Sequence, residues 1–326
     1  MDRLATTLCG IALRNPVLAA SGTFGYGIEF ATIVDLNQLG GFVTKGLSAQ
    51  PIAGNPPPRL WETPAGMMNS VGLQNIGVRA FVRDKLPPLR EHRTAVFVNV
   101  FGYSREDYGE VIRVLEDAEG IAAYELNVSC PNTHAGGIFF SSDPALLSDL
   151  VGSVRPLTRR PIVVKLSPNV ARIEPMALAA QEAGANAISL VNTFIALAID
   201  ARERRPRIGA GFGGLSGPAI KPIALRMVYE AAQAVRIPVI GLGGIRTGED
   251  AAEFLIAGAS AVEVGTMSFA DPRAPLRIAH ELDQFVASEC LASVTALVGS
   301  LQMNEANREH TTGAESDRPV LPGRGA

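Results

Sequence analysis

The sequence predicts a single (β/α)8 TIM barrel with an N-terminal hairpin and long loops over its C-terminal mouth. Three observations carry that expectation. Short β-branched or apolar runs alternate with amphipathic stretches of roughly ten or more residues, the pattern of a parallel sheet with crossover helices. The runs and stretches make eight pairs, the number that closes a barrel. Polar residues gather where the runs end, which is where barrels keep their chemistry. An open doubly wound sheet competes, but eight units with near-continuous apolar strands favour closure.

Leu4–Leu8 and Ile11–Leu13 flank Cys9-Gly10 and read as the hairpin. The expected strands are Val17–Ser21, Gly41–Lys45, Ala95–Val100, Ala123–Val128, Ile162–Ser167, Ala187–Asn192, Val239–Gly243 and Ala261–Gly265. Helical stretches fall near Ile28–Leu39, Val78–Arg90, Glu106–Glu119, Pro144–Leu157, Ile173–Ala183, Pro218–Val235, Glu249–Ala257 and Pro272–Ser288. Ser142-Asp143-Pro144 places a cap before a first-turn proline, and Asp271-Pro272 repeats the arrangement. Gly184 and Gly258 stand where glycines stop helices. Two long connections break the rhythm, and loops this long in a compact domain are usually functional. Leu47–Ile76 holds Asn55-Pro56-Pro57-Pro58-Arg59 and then G-M-M-N-S-V-G-L-Q-N. Thr193–Gly217 holds Arg202, Arg204, Arg205 and Arg207, and its Arg202–Arg205 run reads as a solvated loop. Periodicity fades after Cys290, which sets a catalytic domain at 1–290 and a polar, partly disordered tail at 291–326.

With 326 residues, one barrel of about 250 residues accounts for most of the chain. A hydrophobic content of 47% supports a large core. The net charge of −3 gives no basic surplus for nucleic acid. Cys9, Cys130 and Cys290 are too scattered for a metal cluster and suit a reducing compartment. The first residues lack the apolar run of a signal peptide, and no stretch reaches the roughly 18 apolar residues of a membrane span. A cytoplasmic protein with no membrane partner and no bound metal is expected.

Glu125–Asn132, read E-L-N-V-S-C-P-N, organises the rest. A thiol at Cys130 lies between the carboxamides of Asn127 and Asn132 where a strand runs out. The amides can hold a planar polar ligand and the thiol can move a proton; an inert buried cysteine in a turn is the other reading. The remaining strand ends give Ser21-Gly22, Lys45-Gly46, Asn99, Lys165, Asn192-Thr193, Gly243-Gly244 and Gly265-Thr266. Carboxylates and histidines are missing from these ends, which disfavours paired-carboxylate hydrolysis and a histidine metal site. Glycines after the seventh and eighth strands fit a phosphate bound by backbone N–H groups, or tight packing at the rim. Lys45 and Lys165 end apolar strands, so each either snorkels to solvent or faces an anion across the mouth.

In order, N-P-V-L-A-A-S-G-T-F-G, F-V-T-K-G, G-N-P-P-P-R, G-M-M-N-S-V-G-L-Q-N, E-L-N-V-S-C-P-N, V-K-L-S-P-N, V-N-T, G-L-S-G-P-A-I-K-P, G-L-G-G-I and A-V-E-V-G-T resemble the dihydroorotate dehydrogenase family from about Leu4 to about Pro272. The resemblance implies a flavin mononucleotide (FMN) barrel of pyrimidine biosynthesis that oxidises dihydroorotate to orotate. Cysteine as base is similar to the soluble class 1, and G-L-Q-N at Gly72–Asn75 with L-S-G-P-A-I-K-P at Leu215–Pro222 is most similar to class 1B. That class works with an electron-transfer subunit carrying FAD and a 2Fe-2S cluster, as a heterotetramer of two of each, and passes electrons to NAD. By motif, Ser21, Lys45, Gly46, Asn99, Asn127, Lys165, Val191, Gly217, Gly243, Gly244, Gly265 and Thr266 are expected at the flavin. Lys45, Asn69, Ser70, Val71, Gly72, Leu73, Asn127, Asn132, Asn192 and Thr193 are expected at the substrate. Cys130, Lys45 and Lys165 are the expected catalytic residues.

The implied reaction takes a proton from C5 to the Cys130 thiolate and a hydride from C6 to flavin N5. Lys165 would stabilise the charge of the reduced ring, and the amides would orient the pyrimidine. Three alternatives stay open. They are a flavin barrel similar to the dihydropyrimidine dehydrogenases, a class 1A enzyme using fumarate, and a flavin-free barrel that binds phosphate esters as an isomerase or lyase or is a non-catalytic binding module.

Overall fold

A computed structural model describes residues 2–129, 131–132 and 138–303. The hydrophobic runs form a closed parallel barrel of β1 Val17–Ala19, β2 Gly41–Val43, β3 Ala95–Val100, β4 Ala123–Asn127, β5 Ile162–Lys165, β6 Ala187–Leu190, β7 Val239–Leu242 and β8 Ala261–Val264. Neighbours in sequence are neighbours in space, and β8 closes on β1 through the register Val262↔Val17 to Val264↔Ala19. Thr6–Leu8 and Ile11–Leu13 pair antiparallel as the expected hairpin.

Period-2 alternation stacks side chains in layers inside the barrel. The lower layer is apolar: Phe97, Ala123, Val163, Ala187 and Ala261 are buried there with Leu8 and Leu13 of the hairpin against them. Two residues further along the same strands come Asn99, Glu125, Lys165, Ser189 and Glu263, all buried and all polar. The barrel is therefore dry below and charged just under its mouth.

Helices follow the strands because their ends are capped. Ser104 and Thr247 each form a reciprocal capping box, with Asp107 and Asp250 respectively, at Arg105–Glu116 and Gly248–Ile256. Asp143 accepts from the N–H groups of Ala145 and Leu146 ahead of Pro144–Val154, as expected. Before Ala274–Ser288, Asp271 accepts from the Arg273 N–H, but Arg273 holds the cap position.

One expected helix is absent. Ile28–Leu39 forms two short 3-10 turns, Ile28–Phe30 and Leu36–Gln38, with no α-helix between them. Ile33 and Val34 are β-branched, and Asp35 bonds the Asn37 N–H locally, an alternative that competes with helix propagation. Aromatic packing holds the connection instead. Phe24 is fully buried, and its ring stacks on Phe30 at 4.5 Å and meets Phe42 at 6.0 Å. Phe24→Ala is expected to cost about 3–5 kcal/mol, read as a lowered urea midpoint; a change below about 1 kcal/mol would contradict this packing account.

The two long connections are not plain loops. Phe194–Leu197, Phe212–Ser216, Gly66–Asn69 and Leu60–Thr63 form one antiparallel sheet in that order, made from both connections. A Cβ at Gly214 would lie 2.0 Å from Thr193 Oγ1, so this close pairing requires glycine. The Arg202–Arg205 run is exposed, as its reading as a solvated loop predicts. Arg207 instead lies over the Trp61 ring at 4.3 Å and ties the two connections together.

Past Cys290 the chain continues to pack. Val294–Leu297 is a 3-10 turn with Val294 and Leu297 buried, and the Gly299 and Leu301 N–H groups bond Leu255 and Ile256. Of the expected tail at 291–326, the structure describes residues 291–303, and 304–326 lie outside the described residues. Among the described residues no helix is long and apolar enough to cross a membrane.

Candidate active site

The strand ends and the added sheet enclose a cavity of about 530 Å3. Cofactor and small-molecule sites commonly span roughly 300–1,000 Å3. Ser21, Lys45, Gly46, Asn99, Asn127, Lys165, Val191, Gly217, Gly243, Gly244, Gly265 and Thr266 line it, as do Asn69 to Leu73, Asn192 and Thr193. Cys130 lies outside the described residues, and Asn132 is described in its backbone alone.

The strand-end amides are already organised. Asn192 Nδ2 donates to Asn127 Oδ1 at 3.2 Å and to Ser129 Oγ at 3.0 Å, while the Thr193 N–H holds Asn192 Oδ1 at 2.8 Å. Asn69 Nδ2 reaches the Gly214 carbonyl at 3.4 Å across two strands of the added sheet, and both residues line the cavity. These bonds fix amide planes from three separate connections around one space, an arrangement suited to a flat ligand with several carbonyl and N–H groups.

The floor corrects the expectation for Lys165. Its ammonium lies 3.2 Å from Glu263 Oε2 and 3.5 Å from Glu125 Oε1, so its carboxyl partners are built into the protein. Glu125 also accepts from Asn99 Nδ2 at 2.6 Å and from Ser189 Oγ at 2.8 Å. Burial works against the Lys165 cation, but the two carboxyl groups outweigh it and raise its pKa. Burial also opposes the Glu125 carboxylate, yet Lys165 and the hydrogen bonds hold its pKa below the usual range. Glu263 goes the other way, raised well above the usual range by burial and by the neighbouring Glu125 charge. Sequence reading at strand ends missed both glutamates. The available signal was a single charged residue inside each of two apolar strands, A-Y-E-L-N and A-V-E-V.

Lys45 is different. It is half-buried at the cavity and makes no ion pair among the described residues. Burial, and then the charge of Arg59, lower its pKa. A cation with a destabilised charge beside a polar cavity is a ready partner for an anionic group on a ligand.

At the ends of β7 and β8 the backbone N–H groups of Gly244, Gly265 and Thr266 donate to no acceptor among the described residues. The two readings of these glycines divide. Gly244 has φ +81°, and a Cβ there would lie 2.8 Å from the Gly217 oxygen, so rim packing alone requires glycine. At Gly265 a Cβ would make only ordinary contacts, the nearest 3.5 Å from Ala20, so packing does not require glycine there, and the residue lines the cavity. Free N–H groups around an open space can receive an anion such as a phosphate.

Cys9, at the opposite end of the barrel, lies 3.3 Å from the Asn186 carbonyl, and burial pushes its thiol up to about 11. It has no part in this cavity.

Comparison with known proteins gives a consistent answer. The family profile described as dihydroorotate dehydrogenase matches residues 3–286. A protein of Solibacter usitatus, provisionally named dihydroorotate dehydrogenase A (fumarate), is 72% identical over 300 residues, 92% of this chain and 99% of that protein. Proteins named dihydroorotate dehydrogenase B (NAD(+)), catalytic subunit, are 51% identical in Geobacter sp. strain M21 and 52% in Geobacter sulfurreducens. Each of these covers 92% of this chain and 98% of its own.

Proposed function

The chain belongs to the dihydroorotate dehydrogenase family, and on that premise we propose that it oxidises dihydroorotate to orotate with bound FMN. The observation that supports this most directly is the convergence of amide, lysine and glycine residues from separate strand ends on one cavity. The chain's own groups fit the flavin. Gly244, Gly265 and Thr266 offer N–H groups that are free among the described residues for its phosphate, and Lys165, Asn99 and Asn127 offer donors to its ring. FMN supplies the two-electron acceptor that no side chain here can provide.

The protein's part is positioning and proton transfer. Cys130 is the proposed base that takes the C5 proton of dihydroorotate. It follows Ser129, whose hydroxyl is held by Asn192. Asn69, Asn127, Asn192 and Thr193 would grip the pyrimidine, and Asn132 is assigned beside them by motif. Lys45, without an ion pair among the described residues, would meet the substrate carboxylate. Lys165 would hold positive charge next to the ring that accepts electrons.

An absorption spectrum of the purified chain tests the reading. A yellow chain that bleaches without oxygen on adding dihydroorotate, but not dihydrouracil, is expected. Bleaching by dihydrouracil instead would move it to a dihydropyrimidine-type reaction, and a colourless chain would overturn the flavin. Gly244→Ala should lower the stability of the chain by about 1–3 kcal/mol, because its left-handed backbone and the Gly217 oxygen leave no room for a Cβ. The urea midpoint of the purified chain checks it.

For the final acceptor we favour NAD, reached through a subunit bearing FAD and a 2Fe-2S cluster. The class 1B motifs at Gly72–Asn75 and Leu215–Pro222, and the Geobacter relatives named catalytic subunits, support it. The Solibacter relative supports fumarate as the second reading. Turnover of the isolated chain with fumarate would select the second; dependence on a partner for NAD reduction would select the first.

A further inference from the structure

We propose that Glu263 carries a proton at neutral pH and acts as a positioning residue for Lys165. One carboxylate then balances the ammonium where two would over-balance it. The geometry poses the problem. Lys165 lies within 3.5 Å of both Glu125 and Glu263, and the side chains of the two glutamates are each 1% exposed. At that level Asn99 and Ser189 are neutral and both serve Glu125, while Lys45, two residues past Val43, makes no ion pair with either glutamate. Two ionised carboxylates against one ammonium would leave a net negative charge in the dry barrel interior, which is costly.

The two glutamates are not equivalent, so the proton has a definite place. Glu125 accepts from Asn99 and Ser189 as well as facing Lys165. Glu263 receives a hydrogen bond from Lys165 alone, its side chain faces the Glu125 carboxyl, and its Oε1 is buried with no donor among the described residues. A bare anionic oxygen is far more expensive there than a neutral acid. The direction of the Glu263 titration given above agrees with that assignment.

The consequence reaches the cavity. Lys165 lines it, whereas neither glutamate does, so the ammonium is the part of this triad that a bound ring meets. With Glu263 neutral the triad has no net charge and its positive end faces outward. With both carboxylates ionised it would repel the negative charge that a flavin acquires on reduction. Glu263 thus governs how easily the flavin accepts electrons without touching it.

Infrared spectroscopy of the purified full chain tests the proton itself, and needs no flavin. The difference between the chain and Glu263→Gln should show the carbonyl stretch of a protonated carboxylic acid, shifted downward in heavy water. Flavin carbonyl bands cancel in that difference. If the variant does not fold, labelling the glutamates of the unaltered chain with carbon-13 must move the same band. Absence of such a band at neutral pH overturns the proposal. The second measurement, the reduction potential of bound FMN, rests on the flavin reading above. Glu263→Gln mimics the neutral acid, so it should change the reduced-to-oxidised ratio less than about threefold. A tenfold or larger shift toward reduced flavin, about 30 mV for a two-electron couple, would show that a full negative charge had been removed, and would overturn the proposal.

Discussion

Cys130→Ala is expected to retain its flavin and to lose nearly all bleaching by dihydroorotate, with the half-reaction slowed about 100- to 10,000-fold. That range is what a positioned general base typically contributes. The flavin should stay because the groups proposed to hold it, among them Gly244, Gly265, Thr266 and Lys165, lie on other strand ends. Stopped-flow absorbance without oxygen reads both quantities from one sample. An ordinary thiol titrates near about 8.5, so only a minority is thiolate at neutral pH. The rate in the unaltered chain should therefore rise with pH through the alkaline range. Rapid bleaching of the alanine variant would remove Cys130 from the role, and a flat pH profile would argue against a thiol of ordinary acidity.

Lys45→Ala should weaken orotate binding tenfold to a hundredfold while flavin remains bound. Charge-assisted hydrogen bonds are worth about 1.5–3 kcal/mol, and Lys45 makes no ion pair among the described residues to share its charge. The pH dependence has a definite sign. Burial and Arg59 lower the Lys45 pKa from that of a free lysine, so the free protein loses this cation at a lower pH than usual. An anionic ligand favours the ammonium. Orotate affinity should therefore be full below the lowered pKa and fall as pH rises through it. Flavin spectral perturbation by orotate measures the constant at each pH. Equal affinity in both proteins, or an affinity that rises with pH, would separate Lys45 from the ligand.

Much of the site was legible because barrels place strand ends at one mouth. Once Lys45, Asn99, Asn127, Lys165 and Asn192 were recognised as ending apolar runs, their convergence followed from the fold class. The sheet over the mouth was not legible. Its strands are short and glycine-rich, as in F-G-G-L-S, and Gly214 is there for a close approach to Thr193 that no local pattern announces. The Ile28–Leu39 segment has an apolar rhythm that reads as helical, yet its turns are set by the Asp35 side chain and by rings from elsewhere in the chain.

The architecture and the membership of the mouth were readable from the chain alone. Both depend on periodicity and on residue types at the ends of runs, which are local properties of the chain. Which charges meet follows from how the barrel closes. Glu125, Lys165 and Glu263 are separated by 40 and 98 positions and share one buried layer because barrel closure brings β8 round toward β4 and β5. The ionisation of each is set by desolvation and by the others' charges across a few ångströms.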